Sequence, residues 1–539
     1  LELAREWLSA CKQHHGNCWT GDVPRLPTRV IDVGVNSDFR DVQLVVPEKG
    51  SKAEYVALSH CWGGEIDLKL NGENLEKYCR TGLPFEDLPA NFKDAIKVTR
   101  KLGVRYLWID SLCILQDSTA DWERESKTMT TVYSDCTLTV LAMSSEESAH
   151  GFLSRETDER RVMHRETVRV NFLRDSGTDV EATIGRFDAN QEESLIELER
   201  GWNGKGPGAL ARRGWTLQEY VLSPRLLLYG ANLVHWTCPS ARRSANGMSG
   251  IHSDDKKHLG IPPVLSNGIL EEIFWNYYML VDNYSARQLT KASDKLPAFS
   301  GIAQHFQPVL GDYLAGLWRD DIVRGLWWVK HVGGEPVSDY RAPSWSWASV
   351  DGPVWYAACP KKRGPLDVQM LDYAIRLTNP KNPFGQVRSA SLTLRGWTMR
   401  LDRPLKYREN PGDGIDDLFD LTIDEILQGG NCHDDREWSK TRGVFLHGRG
   451  SREQGVTIVG EGHTSWIKIG SYFIISGKYV VLLLCAFPRG KGPRRQMNCL
   501  ILESMHGLRH EVFKRVGTLE GYVSSNALKK WERREVTII

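Results

Sequence analysis

Apolar and polar positions follow two different periods along this chain. Tyr55–Ser59 (YVALS) is a compact apolar run that ends in His60-Cys61-Trp62-Gly63-Gly64, a strand followed by a turn. Between Pro89 and Leu102, Phe92, Ala95, Ile96 and Thr99 recur at helical spacing, and Gly103 closes the segment. A second buried strand, Val104–Ile109, leads into Asp110-Ser111. Trp122–Tyr133 reads as a helix, and Thr137–Met143 as a third strand ending at Ser144-Ser145. Strand, helix, strand, helix, strand with short connections predicts an α/β domain built on an open, mostly parallel sheet covered on both faces. Leu210–Leu222 then reads as one helix stopping before Pro224, and Leu226–Tyr229 and Leu233–Trp236 complete the sheet.

The flanks differ from this core. Residues 1–50 hold a short helix, Leu1–Cys11, and two strand-like runs, Thr28–Val33 and Val42–Val46, expected to pack on the α/β domain of residues 51–240. That domain carries a polar insertion over 146–209, glycine-rich near its end (Gly201–Gly208). Residues 241–340 read as a helical connecting segment, with Ile269–Tyr284 the clearest helix. From 341 to 539 period-2 runs dominate, among them Val368–Leu377, Ser391–Leu401, Gly470–Ile475, Tyr479–Phe487 and Asn498–Leu502. Pro/Gly loops such as 488–493 separate them, which predicts a β-rich C-terminal domain.

Composition narrows the function classes. At 539 residues the chain suits two to four packed units, at roughly 100–200 residues each. With 69 Lys+Arg against 68 Asp+Glu, the formal charge of +1 argues against a protein held on nucleic acid by its overall field. The basic string Arg489–Arg495 reads as a solvated loop. The longest apolar run, Tyr479–Phe487, is too short to cross a bilayer as a helix. Eleven cysteines, an odd number without a Cys-x-x-Cys pair, fit reduced thiols and a cytoplasmic protein. The phosphate-binding Gly-rich loops of nucleotide triphosphate and Rossmann sites are missing from the sequence.

Ligands of open parallel sheets bind beyond the carboxyl ends of the strands. Ser59 and His60, Asp110 and Ser111, and Ser144 and Ser145 stand at those ends, although such residues also simply terminate strands. If 210–222 is one helix, Arg212, Trp215 and Glu219 share a face. They form either a binding site for a cationic or sugar-containing ligand or an aromatic anchor beside an ion pair. The string Cys11-Lys12-Gln13-His14-His15-Gly16-Asn17-Cys18 has residues that zinc uses. A closed site needs four ligands and no second cluster pairs with this one, so it is expected to be structural and metal-free. Cys113 lies in an apolar stretch that raises a thiol's pKa, and His60 and Cys61 would point oppositely on a continuing strand, which disfavours a cysteine nucleophile.

Five strings carry a family resemblance: YVALSHCWGG (55–64), LPANFKDAI (88–96), YLWIDSLCILQD (106–117), DWERES…VYSDCTLTVLA (121–142) and RGWTLQE (213–219). In this order they resemble the blocks of the fungal heterokaryon-incompatibility (HET) domain, over about residues 51–240. RAPSWSWASVDG (341–352) and the β-rich region look like the C-terminal extension of such proteins. The resemblance implies non-self recognition and cell-death signalling, with self-association on activation and a partner protein still to be identified. A remoter similarity joins Ala57-Leu58-Ser59-His60, Trp108-Ile109-Asp110 and Trp215-Thr216-Leu217-Gln218-Glu219 to the corresponding strings of Toll/interleukin-receptor (TIR) domains, which are flavodoxin-like sheets. Thr216 stands where TIR domains have Cys. In TIR enzymes the glutamate supports cleavage of the nicotinamide–ribose bond of NAD. Carried over, Glu219 is the catalytic carboxylate. Ser59, His60, Trp62, Asp110, Ser111, Arg212 and Trp215 surround the substrate, with Trp62 or Trp215 stacking on nicotinamide. NAD is then a substrate, and no metal or other cofactor is implied. The alternative is a non-catalytic module that self-associates or binds a partner through the same face.

Overall fold

A computed structural model of the chain describes residues 1–16, 18, 23–34, 41–64, 66, 68–153, 167–173, 179–185, 208–245, 270–330, 339–356, 368–400, 405–406, 457–458, 466–469, 472–475, 479–488, 494–505, 512–524 and 531–539. The glycine-rich string 201–207 and most of the basic loop 489–495 lie outside these residues. The chain divides into two compact units, Leu1–Pro263 and Val264–Ile539.

The first unit runs α1 (Glu2–His14), β1 (Val30–Asp32), β2 (Gln43–Val45), β3 (Tyr55–Ser59), α2 (Leu75–Arg80), α3 (Ala90–Lys101), β4 (Tyr106–Trp108), α4 (Asp110–Cys113), α5 (Thr119–Asp135) and β5 (Leu138–Ala142). A hairpin follows, β6 (Thr167–Leu173) with β7 (Asp179–Gly185), and then α6 (Thr216–Leu222), β8 (Leu226–Tyr229), β9 (Val234–Cys238) and β10 (Ala241–Ser244). Eight strands form one sheet in the order β10-β9-β8-β5-β3-β4-β1-β2. Its centre, β8-β5-β3-β4, is parallel, and both margins are antiparallel. The sheet is therefore mixed rather than mostly parallel. The runs within residues 1–50 are members of it, β1 hydrogen-bonded to β4 and β2 to β1.

The apolar runs explain the centre. β3, β5 and β8 are buried along their whole length, as strands covered on both faces must be. Counting the parallel strands in chain order gives 2-1-3-4, a doubly wound arrangement whose direction of winding reverses beside β3. The motif strings around β3 also fix its loops. Gly63 has φ +79, and a Cβ there would lie 1.9 Å from Glu147 Cβ, so only glycine lets the loop after β3 approach the loop after β5. The Ser148 N–H donates to the Trp62 carbonyl at 3.2 Å across that contact. From α3, Asn91 Nδ2 donates to Ser145 Oγ and the Glu147 carbonyl, and Asp94 Oδ2 accepts from the Phe152 and Leu153 N–H groups. Much of the LPANFKDAI string thus holds the strand-end loops in place.

In the second unit α7 (Leu270–Ser285) and α8 (Ser300–Leu310) accompany a β-rich sheet. Strands 387–400, 479–488, 494–504 and 512–524 follow one another in antiparallel pairs. The last strand, 532–538, pairs with both 387–400 and 512–524 and closes them into a ring. Among the described residues no helix is long and apolar enough to cross a membrane.

Candidate active site

The parallel centre delivers side chains to one edge. Ser59 is the last residue of β3 and is buried, as is His60 beside it. The His60 ring stands edge-on to Phe92, centroids 5.2 Å apart, and its Nδ1 lies 3.9 Å from Asp110 Oδ1. Burial pushes the His60 pKa down to about 4 against the pull of Asp110, so the imidazole is neutral at physiological pH. Its Nε2 is buried without a hydrogen-bond partner, and so is Ser111 Oγ. Buried polar atoms are rarely left unpaired, and these two follow the neighbouring parallel strands β3 and β4.

Asp110 opens α4 directly after β4. Its carboxylate accepts from Trp62 Nε1 at 2.9 Å and from the Ser111 N–H at 2.8 Å. The half-buried Trp62 indole is thereby fixed beside the strand ends. Trp215, also half-buried, meets Trp122 edge-to-face with centroids 6.2 Å apart.

Glu219 lies on α6 and is only 6% exposed. Burial raises its pKa, and the Asp110 charge adds to the rise. The Ser59 hydroxyl, the Arg213 guanidinium and the Tyr133 hydroxyl oppose it, and the balance settles at about 7. Ser59, Asp110 and Glu219 therefore interact at one place. A carboxyl near neutrality can hold or release a proton at little cost, which is the property acid–base chemistry needs.

Arg212, Trp215 and Glu219 do not share a helical face. The segment 210–222 is interrupted: Leu210–Arg212 is a single 3-10 turn, Arg213 is extended, and α6 starts at Thr216. Thr216 Oγ1 donates to the Leu210 carbonyl at 2.7 Å and to that of Arg213 at 2.8 Å, so a side-chain hydroxyl stabilises the break. Arg212 turns outward to an exposed pair with Glu146 at 3.1 Å. Its neighbour Arg213 donates instead through Nη1 to the His60 carbonyl at 3.0 Å and faces Glu219. Arg213 and Tyr133 were not legible as site residues. Tyr133 follows Met129 by one helical turn on the buried stripe of α5, the signal that would have marked it.

The thiols nearby are held protonated by burial. Burial raises Cys61, and it pushes Cys113 up to about 12. What the arrangement offers is a buried carboxylate near neutrality, a neutral imidazole, a second carboxylate and the Trp62 indole; the ring contact of Trp215 is with Trp122 and joins it to none of these.

Residues 55–219 match the family model described as heterokaryon incompatibility protein (HET), from the first residue of β3 to Glu219 itself. That segment is a HET domain. No curated protein and no solved structure matches the chain.

Proposed function

We propose that this HET-domain protein serves fungal non-self recognition by hydrolysing NAD, with the flavodoxin-like, TIR-like core of the first unit as the enzyme. The observation that carries this reading is Glu219: a buried carboxylate poised at about 7 beside Ser59 and Asp110, beyond the ends of parallel strands. In the reaction the bond between ribose C1′ and the nicotinamide nitrogen breaks, and its electron pair neutralises the ring nitrogen. Water adds to C1′ and loses a proton, giving nicotinamide and ADP-ribose. Positive charge builds on the ribose before water arrives, and a carboxylate beside it stabilises that charge while accepting from the ribose hydroxyls. Trp62, held by Asp110, stacks on nicotinamide, and Trp215 borders the same region. His60 Nε2 and Ser111 Oγ supply polar contacts, and the outward pair of Arg212 with Glu146 lies at the rim. Self-association on activation brings the domain to its working state, and the partner that triggers it is a protein.

Expression of the full chain in a fungal host, with cellular NAD measured, tests the proposal. The wild-type chain is expected to deplete NAD, and Glu219→Gln at the same level is not. Equal NAD in the two strains would make the HET domain a non-catalytic binding module instead.

A further inference from the structure

We propose that Cys11, His15, Cys18 and Cys238 hold a structural zinc ion that clamps α1 to the hairpin at the edge of the sheet. Their ligand atoms all lie within 4.8 Å of one another. The sequence alone presents three of these side chains and leaves the fourth position empty. Cys238, 220 residues beyond Cys18, fills it by ending β9 next to the C-terminus of α1.

Local structure explains the convergence. Cys11 and His15 are four residues apart at the last turn of α1, where the His15 N–H donates to the Cys11 carbonyl at 3.2 Å. A tight turn, with the Cys18 N–H donating to the His15 carbonyl at 2.9 Å, brings the third sulfur back. His15 Nδ1 faces Cys238 Sγ at 3.4 Å, so Nδ1 is the ligand nitrogen. His14 is exposed and stands outside the group. Trp7 against Trp236, 6.5 Å between ring centroids, joins the same helix to the same strand.

Chemistry selects the ion. Three thiolates and an imidazole are soft donors that suit zinc rather than magnesium or calcium, and four protein ligands leave no open position for catalysis. Zinc lies about 2.3 Å from sulfur and about 2.0 Å from nitrogen, which sets ligand atoms about 3.5–3.8 Å apart, so closing on the ion takes movements of under about 1 Å. Charge is balanced as well. Three thiolates around a divalent cation leave one net negative charge. Arg225, 4% exposed, donates through Nε to Cys11 Sγ at 3.2 Å, and its other bonds go to the carbonyls of Thr137 and Cys18. A buried guanidinium aimed at a sulfur matches that charge and orients the ligand, as partners behind metal ligands do.

The test uses the full chain purified without added metal, followed by elemental analysis and by cobalt titration of the metal-free protein. The expected result is about one zinc per chain, and cobalt bands of a tetrahedral thiolate site. Cys238→Ser is expected to lose most of the metal and His14→Ala none. His15→Cys is expected to keep the metal and shift the cobalt spectrum toward an all-sulfur site, which remains informative if the serine variant fails to fold. Wild-type protein that neither carries zinc nor gives tetrahedral cobalt bands would overturn the proposal. So would a disulfide among Cys11, Cys18 and Cys238 found by non-reducing peptide mapping, or metal retained in full by Cys238→Ser.

Discussion

Trp62 Nε1 donates to Asp110 Oδ2 at 2.9 Å and so ties the loop after β3 to the start of α4. One carboxylate thereby sets the position of an indole and, through its charge, adds to the rise in the Glu219 pKa that burial causes.

The charge has a measurable consequence. Asp110→Asn keeps an oxygen for the indole N–H but removes a negative charge that raises the Glu219 pKa. The acid limb of the pH profile for NAD cleavage is expected to move down by roughly half to one unit. Arg213→Met removes the charge that opposes the rise, so the limb is expected to move up. Rates measured from pH 5 to 9 check both shifts, and an unmoved profile in both variants would separate Glu219 from the reaction.

Stability should respond to the same carboxyl. Glu219 has an ordinary pKa of 4.5 unfolded and about 7 folded, so the folded state binds its proton more tightly. Stability is then highest below about pH 4.5 and declines as pH rises toward 7, by up to about 3 kcal/mol. Glu219→Gln avoids that loss. It is expected to be more stable than wild type by about 1–3 kcal/mol at pH 8 and near equal at pH 4.5, measured by urea unfolding at each pH. A variant less stable than wild type at pH 8 would mean that the charge is held by a structural ion pair.

The sequence made the centre of the sheet legible because its strands are continuous apolar runs, and Ser59 and Asp110 stand where two of those runs end, whereas Glu219 lies on a helix and was singled out by its string rather than by a strand end. The sheet's margins were harder to read. β1 and β2 have three residues each, and nothing local says whether such a strand pairs in the sheet or packs upon it. The helix read over 210–222 failed at Arg213-Gly214-Trp215 because the Thr216 hydroxyl shares its one proton between two carbonyls outside helical geometry, which propensity does not register. That break exchanges Arg212 for Arg213 beside Glu219. Cys238 was invisible for another reason: a ligand 220 residues away is found only when the chain is folded.

A buried ion pair carries part of the domain's stability. Arg29 Nη1 and Nη2 donate to Asp121 at 3.0 and 2.7 Å, and Nη1 also reaches the Cys113 carbonyl at 2.7 Å. Burial alone would raise the Asp121 pKa. The hydrogen bonds from Arg29 and from the Leu115 N–H outweigh it and hold the carboxyl below its usual 3.8. Its stabilising contribution is present above pH 3.8 and is lost as pH falls through the lower folded value. Asp121→Ala leaves the buried Arg29 guanidinium without its carboxylate and with only the Cys113 carbonyl, and is expected to cost about 3–5 kcal/mol in urea unfolding at pH 7. A cost below about 1 kcal/mol would show the pair to be solvated.

The most direct measurement is nicotinamide release from NAD by the purified full chain at high concentration, followed by chromatography, with Glu219→Gln in parallel. The wild-type chain is expected to form nicotinamide and ADP-ribose in equal amounts. The variant, folded to the same degree by circular dichroism, should be slower by on the order of 10²–10³. Equal rates in the two proteins, or no nicotinamide from self-associated wild-type chain, would contradict NAD hydrolysis at Glu219.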